Sequence, residues 1–451
     1  MAINPFDNSS SQINAVLKNF KLVNPIPEEC TDSKELKKLF NKNPYIPYSG
    51  YTTDSQHTVL RFIDNLAALS PTLGGVIKSI GFACFGGKTE IKSIVDSDFD
   101  IAEEGEEPIR ISKEAKLKYL DQLKTIDLNP FDWSSFKNVC FRSLKANGNV
   151  FIEVEINQSL GQYKSKITFH PTRNVLYKIP DLFTERTVAI SKSWAPEYIK
   201  QNPPREVPVF PLVEKDKKGT IKTIFHYKHG ENDFYGRPDW LPCMMDAFLE
   251  IKNKEYLLTA AHNNFTGKVY IEKENGPGND TQVENVDAIK AGFDNVAHRW
   301  AYNFTNQGTD PQSILLSERA FGAGPSFIHE FNINTKEDYF QKIDQLTTSK
   351  ICLVNGWSPK LLGIDEGGGL SSNVYIDILK TRMPLIEYYQ DSIDNGILNK
   401  IITFINEFTG KNEFLGIGIA SKNPFDHLEK ANKEAALNNQ KTKTNDNNLG
   451  G

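Results

Sequence analysis

The sequence predicts an α+β fold, and three observations lead to that class. Several segments carry apolar residues every three or four positions, the spacing of amphipathic helices. Other segments alternate apolar and polar residues, as half-buried strands do; residues 150–156 are the clearest example. The chain is also long, because 451 residues leave room for about three compact units or one elongated subunit of several parts.

Composition excludes several classes of protein. Hydrophobic residues make up 39% and charged residues 24% of the chain, which is typical of an ordered protein. Lys and Arg total 52 against 57 Asp and Glu, so the net charge is -5, and a surface that binds nucleic acid broadly would normally be basic. No run approaches the roughly 20 apolar residues that cross a bilayer, so we expect no membrane partner. The five scattered cysteines are expected to be small buried side chains in a reducing cytoplasm.

The first half of the chain is predicted to mix helices and strands. A proline after Ser70 separates a helix over 58–68 from one over 73–80. Two further helices are expected over 113–123 and 133–145. The strand over 150–156 has a predicted hairpin partner over 164–170. Between these elements, residues 96–107 hold seven acidic residues and no Lys or Arg, which favours a solvated loop.

The second half contains two helices around a β-rich stretch. A helix to about residue 264 is predicted from the stripe Leu241, Met244, Phe248, Ile251 and Leu258. A second helix over 335–357 starts at a capping box formed by Thr335 and Asp338. Short strands, including 268–272 and 313–317, and a helix over 286–303 are expected between them.

A glycine-rich loop and a long helix follow. The loop residues are Asp365, Glu366, Gly367, Gly368, Gly369, Leu370 and Ser371. A long helix is expected from residue 373 or 374 to about 409–411, kinked at Pro384 because proline removes a backbone donor. Its apolar stripe is Ile386, Tyr389, Ile393, Ile397, Ile401, Ile405 and Phe408. A final strand is predicted over 414–420, and the polar tail from residue 431 is expected to be disordered.

Motifs that carry catalysis or hold cofactors are missing. Residues 81–89 resemble a phosphate-binding loop, but Phe82 stands where the first glycine should be. Gly416 and Gly418 lack the third glycine of a dinucleotide fingerprint, and His329 has no second histidine at zinc-binding spacing. We therefore expect no enzyme activity, no metal site and no cofactor.

The order of elements is distinctive, and certain stretches of sequence accompany it: residues 148–154, 235–238, 355–363, 370–373, 383–387, 414–418 and 423–426. In these residues the chain resembles the portal proteins of tailed bacteriophages, over about residues 70–426. Residues 181–216 have no clear counterpart in that family.

The resemblance implies a portal-type division of the chain. The expected parts are an α/β wing (1–234), a first stem helix (235–265), a small α/β clip (266–331), a second stem helix (332–363), a tunnel loop (364–373), a long kinked helix (374–411), a returning wing strand with a short crown (412–430) and a tail (431–451). In the stem helices we expect Phe248, Ile251 and Leu346 on apolar stripes, and Lys342 and Gln345 toward the lumen or the opposite face.

The resemblance also implies a function. Portal proteins form a ring, usually a dodecamer, at one capsid vertex of the virion, after assembly in the host cytoplasm. Double-stranded DNA is packaged and ejected through the ring without sequence specificity. The implied partners are the major capsid protein, the large terminase and a head–tail adaptor.

Two other classes of protein remain open at this stage. Asp365 and Glu366 could be paired carboxylates of a soluble α+β enzyme, where they would act in acid–base chemistry or hold a divalent metal. The chain could also be another phage ring protein, although adaptors are generally shorter and capsid subunits lack the helix–insertion–helix order.

Overall fold

The structure of the chain is a computed structural model that describes residues 45–48, 58–93, 111–129, 132–159, 162–179, 186–216, 219–230, 234–262, 268–274, 315–319, 328–331, 337–364 and 372–422. The described part forms two compact units. The first consists of Met1–Pro242 and Cys352–Gly451, and the second of Cys243–Ile351. The second unit is thus an insertion: the chain leaves the first unit once and returns to it once.

The helices are, in chain order, α1 (Thr58–Leu69), α2 (Pro71–Phe85), α3 (Lys113–Lys124), α4 (Trp133–Asn147), α5 (Pro196–Gln201), α6 (Met244–His262), α7 (Glu337–Val354), α8 (Ser372–Thr381), α9 (Met383–Ile393) and α10 (Asn399–Thr409). The strands are β1 (Tyr45–Ile46), β2 (Thr89–Ser93), β3 (Ile126–Asn129), β4 (Asn149–Ser159), β5 (Gln162–His170), β6 (Val175–Lys178), β7 (Thr187–Ile190), β8 (Arg205–Pro208), β9 (Glu214–Lys215), β10 (Ile221–Lys228), β11 (Lys268–Glu274), β12 (Leu315–Arg319), β13 (Ile328–Phe331) and β14 (Ile417–Ser421).

Local capping explains where the early helices begin. The Ser70 side chain accepts a hydrogen bond from the Leu73 backbone N–H at 3.1 Å, and Pro71 occupies the first turn of α2, where no backbone donor is needed. Ser112 and Asp132 cap α3 and α4 in the same way. The four helices predicted in this region are therefore confirmed: three of the four first residues match, and the other boundaries differ by one to five residues.

The described strands of the first unit form three sheets. Their orders are β1-β6-β7-β8, β3-β5-β4-β10-β9 and β14-β2. In the central sheet β4 pairs antiparallel with β5, from Phe151 opposite His170 to Ser159 opposite Gln162, so the predicted hairpin is confirmed. β10 pairs antiparallel with the other edge of β4 over residues 149–156.

The core of the first unit lies between its helices and sheets. Phe141 on α4 packs against Phe85 on α2 and Tyr389 on α9, with ring centroids 5.7 and 5.1 Å apart. Each large apolar side chain buried in this way stabilises the fold by roughly 1.5–3 kcal/mol. Four of the five cysteines (Cys84, Cys140, Cys243 and Cys352) are buried, as expected; Cys30 lies outside the described residues.

The segment predicted as one long kinked helix is divided into three helices. α8 ends before Arg382, whose φ and ψ are -99° and 0°, and Pro384 stands in the first turn of α9. Proline clashes with a helical residue before it and lacks a backbone donor, so the helix ends and restarts rather than bends. A π-helical turn over Asp394–Leu398 then joins α9 to α10. The residues of the predicted stripe are buried except Phe408, which is 39% exposed.

The second unit contains α6, α7 and a three-stranded sheet of order β12-β11-β13. β11 pairs parallel with β12 and antiparallel with β13, both within the same chain. Each of these short strands therefore finds a pairing partner within the sheet. The helix expected over 286–303 lies outside the described residues.

Candidate functional site

The two helices of the second unit hold the residues that the sequence assigns to a stem. On α6, Ile251 is buried and Phe248 is half-buried, with the Lys252 Nζ atom 5.7 Å from its ring centroid. On α7, Lys342, Gln345 and Leu346 are all exposed. Leu346 is thus exposed in the single chain, and its expected place on an apolar stripe that faces a neighbouring helix stays a prediction.

Contacts inside the second unit join the two helices. The rings of Tyr256 and Phe340 stack with centroids 5.3 Å apart. Two ion pairs cross from α6 to α7: Asp246 with Lys350 at 3.3 Å and Lys254 with Asp344 at 3.8 Å. Ion pairs as exposed as these contribute little to stability.

Large apolar side chains remain exposed on both helices. Met245 and Leu249, one turn apart on α6, are 50% and 45% exposed, and Leu346 and Leu353, two turns apart on α7, are 60% and 78% exposed. Single exposed leucines are ordinary, but repeated exposure along one helix face is typical of a surface that another molecule covers. These four side chains are named the outer stripe.

The loop residues predicted to constrict a channel are Asp365, Glu366, Gly367, Gly368, Gly369, Leu370 and Ser371, and they lie outside the described residues. Their role stays a prediction. Pro384, the predicted kink, lies two residues beyond the break at Arg382.

The connection into the second unit is anchored by a close crossing of two glycines. Gly148 ends α4 in the left-handed region, with φ of +79°, and its carbonyl accepts a hydrogen bond from the His229 N–H at 2.9 Å. A Cβ atom on Gly236 would lie 2.2 Å from the Gly148 oxygen, and one on Gly148 would lie 2.4 Å from the Arg237 carbonyl carbon. No larger residue fits at either position. Two of the stretches that carry the portal resemblance, 148–154 and 235–238, therefore meet here.

Asn149 holds the crossing in place. Its Oδ1 atom accepts from the Gly236 N–H at 2.7 Å, and its Nδ2 donates to the Gly236 carbonyl at 3.1 Å. His226 Nε2 lies 3.0 Å from the same Oδ1 and must donate, since an amide oxygen only accepts. Its Nδ1 then accepts from the Tyr177 hydroxyl at 2.6 Å. Burial, with smaller effects of Lys228 and Arg186, lowers the pKa of His226 to about 3, so the ring is neutral.

The buried side chain of Lys145 anchors the segment that leads into the second unit at a later residue, Asp239. Lys145, whose side chain is 1% exposed, donates to Asp239 Oδ2 at 2.7 Å and to the Tyr389 hydroxyl at 2.9 Å. The Tyr389 hydroxyl also donates to Asp239. Burial raises the pKa of Tyr389, and the Asp239 charge adds to that effect, so the hydroxyl stays protonated. Asp239 lies four residues before the second unit begins.

The returning connection is tied to α2. Trp357 is buried, and its indole N–H donates to the Ser79 hydroxyl at 3.2 Å. A short 3-10 turn, Pro359–Leu362, ends at Gly363 in the left-handed region. The stretch 355–363, a third part of the portal resemblance, is thus a second anchor within the first unit.

Sequence reasoning missed the buried lysines of α4. Lys137 pairs with Asp394 at 2.7 Å, and the two side chains are 1% and 4% exposed. Burial lowers the pKa of Lys137, and Asp394 opposes that shift. A signal was present, because Lys137, Phe141 and Lys145 recur every fourth residue and so share one helix face. A lysine on the face of a buried aromatic residue indicates a buried ion pair.

Within the described part of the chain, no group of three or more His, Cys, Asp or Glu side chains is arranged to hold a metal ion. In that same part, no single helix is long and apolar enough to cross a membrane; α1 and α2 reach the required length only together, across an 80° bend. The hydrogen bonds and ion pairs described above hold the connecting segments against the first unit. The pair of the buried Lys145 with Asp239 lies near the point where the chain leaves the first unit, and the hydrogen bond from Trp357 to Ser79 lies near the point where it re-enters.

The fold defined by these features is α+β, with a helix–sheet–helix unit inserted into a larger unit. No family model and no curated protein matches the sequence. Among solved structures, the chain is similar to one in the virion of a native gene transfer agent (GTA) particle, with TM-score 0.43, 11% identity, and coverage of 84% of this chain and 89% of that one. It is also similar to a chain in the neck of an empty GTA particle computed with C6 symmetry (TM-score 0.45, 10% identity, 82% and 86% covered).

A third similar structure is an HK97-family phage portal protein from Corynebacterium diphtheriae, with TM-score 0.33, 9% identity, and coverage of 81% of this chain and 95% of that one. Of these three structures, the third is described as a phage portal protein, the class that the sequence resembles. With TM-scores below 0.5, however, they do not decide the function, which depends on the residues of this chain.

Proposed function

We propose that this chain is the subunit of a portal ring, through which double-stranded DNA is packaged into and ejected from a phage capsid. The observation that carries the proposal is the inserted second unit. The chain runs out along α6, forms a small sheet and runs back along α7, while both helices leave the outer stripe uncovered. This arrangement fits two stem helices and a clip.

Identical neighbours are the occupants that best suit the outer stripe. In a closed ring each subunit offers the same two faces to its neighbours, so exposed leucines on α6 and α7 can be buried at every interface. Burial of one leucine contributes roughly 1.5–3 kcal/mol, and the gain repeats around the ring. A monomeric enzyme has no comparable reason to keep leucines of α7 exposed to 60% and 78%.

Charge supports a conduit rather than a DNA clamp. A net charge of -5 in each of twelve copies, the number that the portal resemblance implies, gives about -60 per ring. A channel that must let every sequence pass would be slowed by deep phosphate contacts. On this proposal, Asp365 and Glu366 of the loop over 364–373 narrow the bore and repel phosphates toward its axis.

On this proposal, the other parts of the chain take the roles that the portal resemblance implies. The first unit is the wing, residues 266–331 are the clip, and the partners are the major capsid protein, the large terminase and a head–tail adaptor. The protein would reside at one vertex of the virion after assembly in the host cytoplasm, and it would catalyse no reaction. The enzyme alternative, with Asp365 and Glu366 as paired carboxylates, gains no support from any described residue.

The oligomeric state tests this proposal directly. Twelve copies of 50.9 kDa give about 611 kDa, which size-exclusion chromatography with light scattering separates easily from a monomer. Negative-stain images should show annular particles with a central hole. A monomer or dimer at several salt concentrations, with no annular particles, would overturn the portal proposal and favour an enzyme.

A further inference from the structure

Strand β14 has a pairing strand on only one of its two edges within the described part of the chain. It pairs antiparallel with β2 along its whole length. Backbone groups on the other edge would cost free energy if they were buried without partners. Side chains from the π-helical turn and from α10 supply those partners in place of a strand.

Two side chains, Asp394 and Asn399, bond to the backbone of this edge. Asn399 Oδ1 accepts from the Ile419 N–H at 2.8 Å, and its Nδ2 donates to the Ile419 carbonyl at 2.9 Å. Asp394 Oδ2 accepts from the Ser421 N–H at 2.5 Å. Asp394 and Asn399 are together named the latch.

The π-helical turn brings the two latch residues to the same side of the helix. Asp394 and Asn399 are five residues apart, and at 3.6 residues per turn an α-helix would point them about 140° away from each other. In the π-helical turn the Asn399 N–H bonds instead to the Asp394 carbonyl, so one residue lies above the other. Both side chains can therefore reach the same strand.

The latch is itself fixed by buried partners. Asp394 is buried, and its Oδ1 pairs with Lys137 Nζ at 2.7 Å; the same Nζ donates to the Ser421 hydroxyl at 3.0 Å. Asn399 is also buried, and its Nδ2 donates to Asn395 Oδ1 at 2.7 Å. The latch thus stays with the helices, whichever position β14 takes.

Apolar packing contributes little to the attachment of β14. Of its five residues only Gly418 and Ile419 are buried, so Ile419 supplies the one buried apolar side chain of the strand. Elements with few buried apolar contacts open more easily than the core of a protein. The attachment of β14 therefore depends on its hydrogen bonds to β2 and to the latch.

Two exposed residues, Leu415 and Gly416, separate β14 from the core. Phe414, just before them, is buried, and its ring lies against Tyr119 with centroids 5.6 Å apart. Gly416 has a φ of +87°, which glycine adopts at little cost, and no atom of the described residues lies within 4 Å of the position of a Cβ there. The chain can therefore turn at Gly416 while Phe414 stays packed.

We infer that β14 is a strap that opens as a unit, by turning at Gly416 and breaking the latch, while the rest of the first unit stays folded. The chain beyond Lys422 moves with it. All the groups involved belong to one copy, so the inference does not depend on the portal proposal. On that proposal, the strap is the strand that returns to the wing, and its opening lets the residues after it shift relative to the wing.

Hydrogen exchange of the full-length protein tests the strap, measured by mass spectrometry on peptides that cover β14 and β4 under conditions where exchange reports the opening equilibrium. Opening of the strap exposes little surface, so exchange of the β14 peptide should hardly depend on urea below the unfolding transition. The β4 peptide should exchange more slowly and respond steeply to urea, because it requires global unfolding. Equal rates and equal urea dependence in the two peptides would overturn the inference.

A variant of the core separates opening of the strap from global unfolding. Ile152→Val, at a fully buried position of β4, should speed exchange of the β4 peptide about fivefold. Exchange of the β14 peptide should be unchanged, because Ile152 stays packed when the strap opens. Equal acceleration of both peptides would show that β14 opens only when the whole unit unfolds, which excludes a strap.

A variant of the latch tests what holds the strap closed. Asn399→Ala removes both bonds to Ile419 and should speed exchange of the β14 peptide about tenfold. The matched control is Lys400→Ala, at the next and exposed residue of α10, which should exchange like the wild type. If Asn399→Ala does not fold, Ser421→Ala takes its place, with an expected acceleration of about threefold from the lost bond to Lys137. No acceleration in the latch variant, or the same acceleration in the control, would contradict the role of the latch.

Discussion

The carbonyl oxygen of Gly148 lies so close to the α-carbon of Gly236 that a methyl group at position 236 would be 2.2 Å from that oxygen. Real Cβ contacts are not that short, so both glycines are required by the space between two backbones. The crossing joins the end of α4 to the segment that leads into the second unit. The two short stretches that meet at this crossing lie 88 residues apart in the sequence.

We predict that Gly236→Ala destabilises the first unit by roughly 2 kcal/mol or more, because overpacking against rigid backbone cannot be relieved by a rotamer change. Urea unfolding followed by circular dichroism measures the effect. Gly75→Ala is the matched control: it lies within α2, and the nearest atom to its Cβ is Leu362 Cδ2 at 3.9 Å. That change should stabilise the helix by about 0.5–1 kcal/mol. If Gly236→Ala were as stable as the wild type, the backbones at Gly148 and Gly236 would have room for a methyl group, which would contradict the prediction.

We predict that Lys145→Met lowers the free energy of unfolding by roughly 1–3 kcal/mol. Removal of one partner leaves the Asp239 charge and the Tyr389 hydroxyl short of a donor. The loss stays below that of a fully buried pair because the Asp239 side chain is 41% exposed. Lys124→Met removes an exposed lysine that pairs with Asp121 at 3.0 Å, and it should change stability by less than about 0.5 kcal/mol. Similar losses in the two variants would argue against a special role for the buried cluster.

Acid should destabilise the protein through Glu153. Burial tends to raise the pKa of this carboxyl, but hydrogen bonds from His170 and Arg205 and their charges hold it at about 2. The folded pKa is thus below the usual 4.5, so the contribution of Glu153 is present above about pH 4.5 and is lost as the pH falls toward 2. It amounts to at most about 3 kcal/mol.

Glu153→Gln should therefore be less stable than wild type at pH 7 and should show a shallower fall in stability between about pH 4.5 and 2. Unfolding midpoints in denaturant across this range measure the difference. Glu114→Gln, at an exposed position of α3, should leave the pH profile unchanged. Parallel profiles for Glu153→Gln and wild type would contradict the prediction.

The outer stripe should control assembly. Leu346→Asp places a charge on a side chain that is 60% exposed in the single copy, so the copy should fold normally but fail to form rings. Light scattering and negative-stain images measure assembly, and circular dichroism checks the fold. Leu117→Asp, at an exposed leucine of α3 in the first unit, is the control and should still assemble. Normal rings from Leu346→Asp would exclude this face of α7 from the interface.

Unlike Leu346→Asp, the variant Phe248→Asp is expected to affect folding as well as assembly. Phe248 is half-buried and contacts Lys252, so this change should impair the folding of the second unit as well as ring assembly. A protein with normal thermal unfolding but no rings would place Phe248 at the subunit interface alone.

The glycine-rich loop yields a prediction that depends on the sequence only. Replacing Gly367, Gly368 and Gly369 with alanine restricts the backbone without adding charge or bulk. Ring assembly should be intact, while DNA packaging or retention should be impaired, as measured by the packaged DNA per capsid. Wild-type packaging in this variant would place the loop outside the channel.

Local patterns in the sequence were enough to predict the helices α1–α4, α6 and α7 and the hairpin of β4 and β5. Capping residues such as Ser70 and Asp132, and apolar spacing, act within one or two turns and need no knowledge of distant residues. The division of the C-terminal helix was harder to predict. Pro384 indicated a disturbance, but a kink and a break give the same signal in the sequence.

The sequence by itself therefore determined the class of fold, the order of elements and the resemblance to portal proteins. Only the tertiary structure showed which polar residues are buried and which apolar ones are exposed. Lys145, Asp239 and Tyr389 meet across separations of 94 and 150 residues, and Leu346 looks like a core residue in its helical pattern yet lies on the surface. The physical reason is that helix and turn preferences act over a few residues, whereas burial depends on every segment that packs against a side chain, and those segments lie far away in the sequence.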